Sequence, residues 1–99
     1  MDNPIRGLHK QFESRVRLGV MSVLVVNDWV DFNSLKDMLE ITDGNLASHI
    51  KALEAEQLIE VRKEFIKRKP RTSYRVTPLG RLKFREHLDA LEALLIQKP

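Results

Sequence analysis

The sequence predicts an α+β domain, mostly helical, in which two long helices bracket a pair of short helices and a β-hairpin. Three observations carry this. Leu46, Ile50 and Leu53 recur at spacings of four and three, one face of a helix. Residues 58–65 (LIEVRKEF) and 72–76 (TSYRV) have strand composition and flank the basic run Ile66 to Arg71. Phe84, Leu88, Leu91 and Leu95 repeat at four, three, four, as in a coiled-coil seam. At 99 residues the chain suits one core, so residues 1–99 are expected to form a single domain.

The elements follow in order. Residues 1–13 place Leu8 and Phe12 at helical spacing between the breakers Pro4 and Gly7, which predicts a short helix or a lead-in. Residues 14–26 (SRVRLGVMSVLVV) form a long helix, apolar on most of its circumference. Such a helix must be covered on most sides, in part by another subunit. Asn27 and Asp28 end it. Trp29 to Phe32 suits a small strand, with Trp29, Phe32, Met21 and Met38 expected in packing. Asn33 or Ser34 then caps a helix holding Leu35, Met38 and Leu39, with Ser34 and Asp37 as a capping box. Glu40-Ile41 is a tight connection, and Thr42 caps the next helix. Residues 34–56 thus read as a helix-turn-helix.

A hairpin over 58–76 follows directly, its basic tip closed and stiffened by Pro70. A hairpin in that position is the wing of a winged helix. Thr77 and Pro78 open the last helix, which runs to about Gln97 with Leu79 and Leu82 packing its first turns. At ~1.5 Å per residue it is nearly 30 Å long, and its far end has little of its own chain to pack on. The expected architecture is therefore a winged helix-turn-helix with a C-terminal dimerisation helix. The homodimer would form through the 14–26 helix and Leu88, Leu91 and Leu95.

Charge is distributed unevenly. From Asp28 to Glu60 eight acids face two bases, a net of −6; from Arg62 to Arg85 ten bases face only Glu64, a net of +9. One surface should attract polyanions. There is no cysteine, so no disulfide frame or thiolate metal site is available. No apolar run is long enough to cross a bilayer, and the first residues have no apolar signal core. The cytoplasm is the expected location. The histidines at 9, 49 and 87 make no metal-ligand spacing, and the glycines form no phosphate loop. No catalytic role, cofactor or metal is expected.

The segments RVRLGVMSVL (15–24), DFNSLKDMLEITDGNLASHIKALEAEQLIEV (31–61) and KRKPRTSYRVTPLGRLKF (67–84) together resemble the winged-helix transcriptional regulators. Within them the chain looks most like the small stand-alone winged-helix DNA-binding domain proteins related to the MarR and ArsR regulators. That resemblance implies a dimeric DNA-binding repressor or activator, with a ligand site between the long helices as an option; no polar constellation marks such a pocket. Gln57-Leu58 stands where the group usually has a glycine, which predicts a different helix exit.

In this reading Asn45, Ser48 and His49 face the floor of the major groove and Lys51 its wall. Gly44 permits close backbone approach, and the helix start at Thr42 favours a phosphate. Lys67, Arg68, Lys69 and Arg71 meet flanking phosphates or a minor groove. Two other functions fit the composition: a winged-helix protein-interaction module without specific DNA binding, and a non-specific chromosome-coating protein.

Overall fold

The computed structural model describes residues 3–96. The other elements pack around α1 (Arg15–Leu24). Ser14 caps it, its hydroxyl accepting from the Arg17 N–H at 3.3 Å. Val20, Met21 and Leu24 are fully buried, and Val16, Leu18, Val23 and Val25 are partly so. Full burial of each such side chain is worth about 1.5–3 kcal/mol. Most of the predicted cover comes from the chain itself: α2 (Phe32–Leu39), α3 (Asp43–Ala55), β3 (Lys69–Val76) and the N-terminal segment. That segment forms two 3-10 turns, Pro4–Gly7 and Lys10–Phe12. Phe12 is buried edge-on against Phe84, 5.3 Å between centroids, and against His87 at 5.4 Å. Both partners lie on α4 (Pro78–Ile96).

The capping box predicted at Ser34 does not form. Asp31 ends the two-residue strand β1 (Val30–Asp31) in extended conformation and caps α2 instead. Its carboxylate accepts from the Ser34 N–H at 3.2 Å and the Ser34 hydroxyl at 2.6 Å. Those bonds hold its carboxyl below the ordinary 3.8, against the opposing effect of burial. The helix therefore starts at Phe32, a residue expected in the strand. Met38 is 59% exposed rather than packed, because Leu35 and Leu39 take the inward face of this short helix.

Two left-handed residues close the helix pair. After α2, Glu40 has φ 53°, the Glu40 N–H meets the Asp37 carbonyl at 3.4 Å, and the Ile41 N–H meets the Lys36 carbonyl at 3.3 Å. After α3, Gln57 has φ 60°, with Gln57 N–H to Glu54 O at 2.9 Å and Leu58 N–H to Leu53 O at 3.0 Å. Both are Schellman closures. Gln57 thus adopts the conformation a glycine would, at a cost of about 1 kcal/mol, and the altered exit expected from its identity is not formed.

β2 (Ile59–Ile66) pairs antiparallel with β3, and β3 with β1, in the order β1-β3-β2. The register pairs Ile59 with Val76 and Ile66 with Lys69. The hairpin turn is therefore Lys67-Arg68 alone, at φ 52° and 66°, the type I′ pattern, and not the longer 66–71 tip. Pro70 lies inside β3 opposite Phe65. One step from the hydrogen-bonded 66–69 pair, its missing N–H leaves no gap in the ladder.

Thr77 caps α4: its hydroxyl accepts from the Gly80 N–H at 2.9 Å and donates to the Gln57 carbonyl at 2.7 Å. Gly80 lies so close to β2 that an added Cβ would sit 2.8 Å from the Leu58 carbonyl carbon and closer still to its oxygen. Leu79 and Leu82 do not pack the first turns; they are 38% and 59% exposed, since Gly80, Phe84, His87 and Ala90 form the buried stripe. The leucine seam is unevenly covered: Phe84 is buried, Leu88 is 42% exposed, Leu91 is half-buried and Leu95 is 85% exposed. Gln97, the expected end, lies outside the described residues. Among those described, no helix is long and apolar enough to cross a membrane.

Candidate nucleic-acid interface

Leu46, Ile50 and Leu53 pin α3 to the core, with at most 2% exposure. At about 100° per residue, the ridge opposite them is Gly44, Ser48 and Lys51, all exposed. Thr42 precedes this ridge as the N-cap, its hydroxyl accepting from the Asn45 N–H at 3.3 Å. Nothing lies within 4 Å of where a Gly44 Cβ would stand, so the chain itself does not require glycine there. Asp43 is held sideways by Lys36, whose ammonium is 2.9 Å from its carboxylate. That contact raises the Lys36 pKa and neutralises the one acid in the first turn of α3.

Asn45 and His49 do not share the outward ridge. They fall on the flank that turns toward the start of α1. Asn45 lines an open cleft of about 380 Å³ with Arg15, Val16, Leu39, Glu40 and Ile41. His49 is half-buried and accepts at Nδ1 from the Arg17 Nε–H at 3.0 Å. Arg17 in turn donates from Nη1 to Gln11 Oε1 at 2.8 Å. Arg15, Arg17 and Gln11 were not singled out in the sequence. Arg17 meets His49 from 32 positions away, and no local pattern announces that contact.

On the hairpin, Lys67, Arg68 and Lys69 are exposed and have no ion-pair partner among the described residues. Arg71 differs: its guanidinium lies 3.6 Å from the Asp31 carboxylate that caps α2. Two further bases of the positive half are also engaged. Arg62 and Arg75 stack on the ring of Trp29, at 4.3 and 4.5 Å from its centroid. Arg75 also donates to Glu60 at 2.7 Å and lies 3.7 Å from Asp28. Trp29 is therefore a half-buried plate clasped by cations, not a core residue, and each contact is worth about 0.5–2 kcal/mol. With Arg62, Arg71 and Arg75 engaged, the bases of this half without an ion-pair partner among the described residues include Lys63 and, on α4, Lys83 and Arg85, but Lys67, Arg68 and Lys69 are the ones clustered on a projecting turn. Phe65, 78% exposed beside that turn, is a further residue the sequence did not mark. Among the described residues, no group of three or more His, Cys, Asp or Glu could hold a metal.

The chain matches the family model described as "Winged helix DNA-binding domain" over residues 16–95. It is 37% identical over 79 residues to an uncharacterized protein of Methanocaldococcus jannaschii, covering 80% of this chain and 86% of that one. The structure of a transcriptional regulator homologue from Pyrococcus horikoshii superposes with a TM-score of 0.85 at 30% identity, covering 95% of each chain. A MarR-family transcriptional regulator from Silicibacter pomeroyi shares the fold at 16% identity, with a TM-score of 0.61 over 98% of this chain and 67% of that one. Helix-turn-helix, two-stranded wing and long terminal helix thus occur here in the arrangement of known regulators, and the chain belongs to the winged helix DNA-binding domain family.

Proposed function

We propose that this protein is a sequence-specific transcriptional regulator that binds double-stranded DNA as a homodimer. α3 enters the major groove with Gly44, Ser48 and Lys51 leading and Asn45 and His49 on one flank. Lys67, Arg68 and Lys69 lie on flanking phosphates or in a minor groove. Arg71 steadies the wing against Asp31 and contacts DNA less than its three neighbours. The observation that carries this reading is the pairing pattern of the cations. Arg62, Arg71 and Arg75 are engaged by acids or by Trp29, while Lys67, Arg68 and Lys69, adjacent at the hairpin tip, have no ion-pair partner among the described residues. Unpaired cations on a projecting turn are suited to phosphate, where each releases counterions.

Dimerisation rests on α4. Leu88 and Leu95 leave a large apolar area in water, and an open cleft of about 420 Å³ runs beside Leu88 from Val25 to Glu92. A second copy laid along this seam, with Leu91 between them, would cover it. The two copies of α3 would then read half-sites about 34–36 Å apart.

Selection from a random-duplex library tests the reading. It should enrich a pseudo-palindrome, and Leu88→Lys with Leu95→Lys should yield a monomer that loses the paired-site preference. Enrichment of no sequence, with uniform weak binding, would favour chromosome coating. Retention of no duplex at physiological salt would favour the protein-interaction module.

A further inference from the structure

Within the DNA-binding reading, on which this inference rests, we propose that Arg17 is a positioning residue for base recognition: it fixes the His49 ring so that Nε2–H is presented to the groove as a donor. The chemistry is that of a two-nitrogen ring. An uncharged imidazole carries one proton, so a nitrogen that accepts a bond leaves the proton on the other. His49 Nδ1 accepts from Arg17 at 3.0 Å, which puts the proton on Nε2. Arg17 is itself held from the far side by Gln11 at 2.8 Å. Gln11 sits in the 3-10 turn that ends at buried Phe12, so the anchor does not drift. Ring orientation and tautomer are thereby set before DNA arrives. The ligand feature that fits is an acceptor on a base edge: guanine O6 or N7, adenine N7 or thymine O4. A cytosine amino group, which only donates, is rejected.

Arg17 is basic and near the interface, so direct phosphate binding is the competing role. The two roles differ in what they move. Loss of a phosphate contact weakens all duplexes alike and lowers the salt slope by about 0.9 per subunit, ~1.8 in the dimer. Loss of a positioning contact erodes discrimination at one base pair of each half-site and leaves the slope alone.

The test is a double-mutant cycle in the full chain on the duplex selected from the random library. Arg17→Met keeps most of the stem and removes the donors. We expect a loss of about threefold to tenfold in affinity per half-site, the worth of one hydrogen bond, confined to discrimination at one base pair of each half-site. In the His49→Ala background, Arg17→Met should cost nothing further. Additive losses, or a uniform loss with a lowered salt slope, overturn the proposal. The free protein supplies a readout that needs no DNA. The ¹⁵N signals of the His49 ring should show a proton on Nε2 and a hydrogen-bonded Nδ1, and Arg17→Met should shift the Nδ1 signal. A ring signal indifferent to Arg17 refutes the positioning role whether or not the protein binds DNA. A ring that responds in a protein that retains no duplex refutes instead the reading on which the role rests.

Discussion

Neutralising the wing tip should change the salt dependence of DNA binding by an amount that the ion pairing sets. The perturbation is Lys67→Asn, Arg68→Asn and Lys69→Gln together. Asparagine tolerates the left-handed φ of 52° and 66° at the turn, so the hairpin is preserved. Three unpaired cations per subunit, at ~0.9 each, contribute ~2.7 to the slope of log affinity against log salt, or ~5.4 in a dimer. Over about a threefold rise in salt, that wing contribution is worth ~400-fold in affinity, so the parent should weaken that much more than the variant. Arg71→Gln should move the slope far less than a neighbouring cation does, because its guanidinium is already beside Asp31 at 3.6 Å. Fluorescence anisotropy across a salt series on the selected duplex measures both. A triple variant whose slope stays within about 1 of the parent's would rule out phosphate contact by the wing tip, and an Arg71 effect equal to that of Lys67 would rule out its pairing with Asp31.

Three further outcomes follow from packing and titration. Gly80→Ala should destabilise by about 3 kcal/mol or more in chemical denaturation, since the new methyl meets a backbone carbonyl that cannot rotate aside; a loss under about 1 kcal/mol would contradict the close approach of α4 to Leu58. Gly44→Ala should be neutral or stabilising by up to about 1 kcal/mol, because open space surrounds it and alanine favours the helix, yet it should weaken duplex binding where the backbone meets DNA. Stability should fall as pH drops from about 7.5 through the ordinary histidine value of 6.5. Burial, and secondarily the charge of His9, lower the pKa of His87 below its ordinary 6.5, against the opposing charge of Glu13. Its stabilising contribution is complete above the unfolded value and is lost as pH falls toward the folded one, because the unfolded chain takes up the proton first. Asp31 adds nothing in that window, since its contribution is lost only below 3.8. Urea midpoints of the parent and of His87→Gln, whose midpoint should respond less to pH, check the assignment.

Local pattern made a large part of this protein legible in its sequence. The Leu46–Ile50–Leu53 stripe, Thr42 and Thr77 as caps, and the strand–turn–strand composition each involve residues within a few positions of one another. Short-range geometry alone therefore fixes where α3, α4 and the hairpin lie. Capping at α2 is not legible locally because Asp31 and Ser34 are both sound N-caps three residues apart, and the strand end that feeds the helix decides between them. The two-residue turn was hidden because Lys67 and Arg68 lack the Asn-Gly signature of a type I′ hairpin.

Periodicity and composition set the order of the elements and the location of the basic run. Which charges are available emerges only when the chain folds. Arg62, Arg71 and Arg75 look like Lys67 and Arg68 in the chain, but sheet register brings them to Asp31, Glu60 and Trp29. Likewise His49 resembles any outward polar residue until α1 delivers Arg17 from 32 positions away. Pairing energy depends on distance in space, and chain folding, not adjacency, sets that distance.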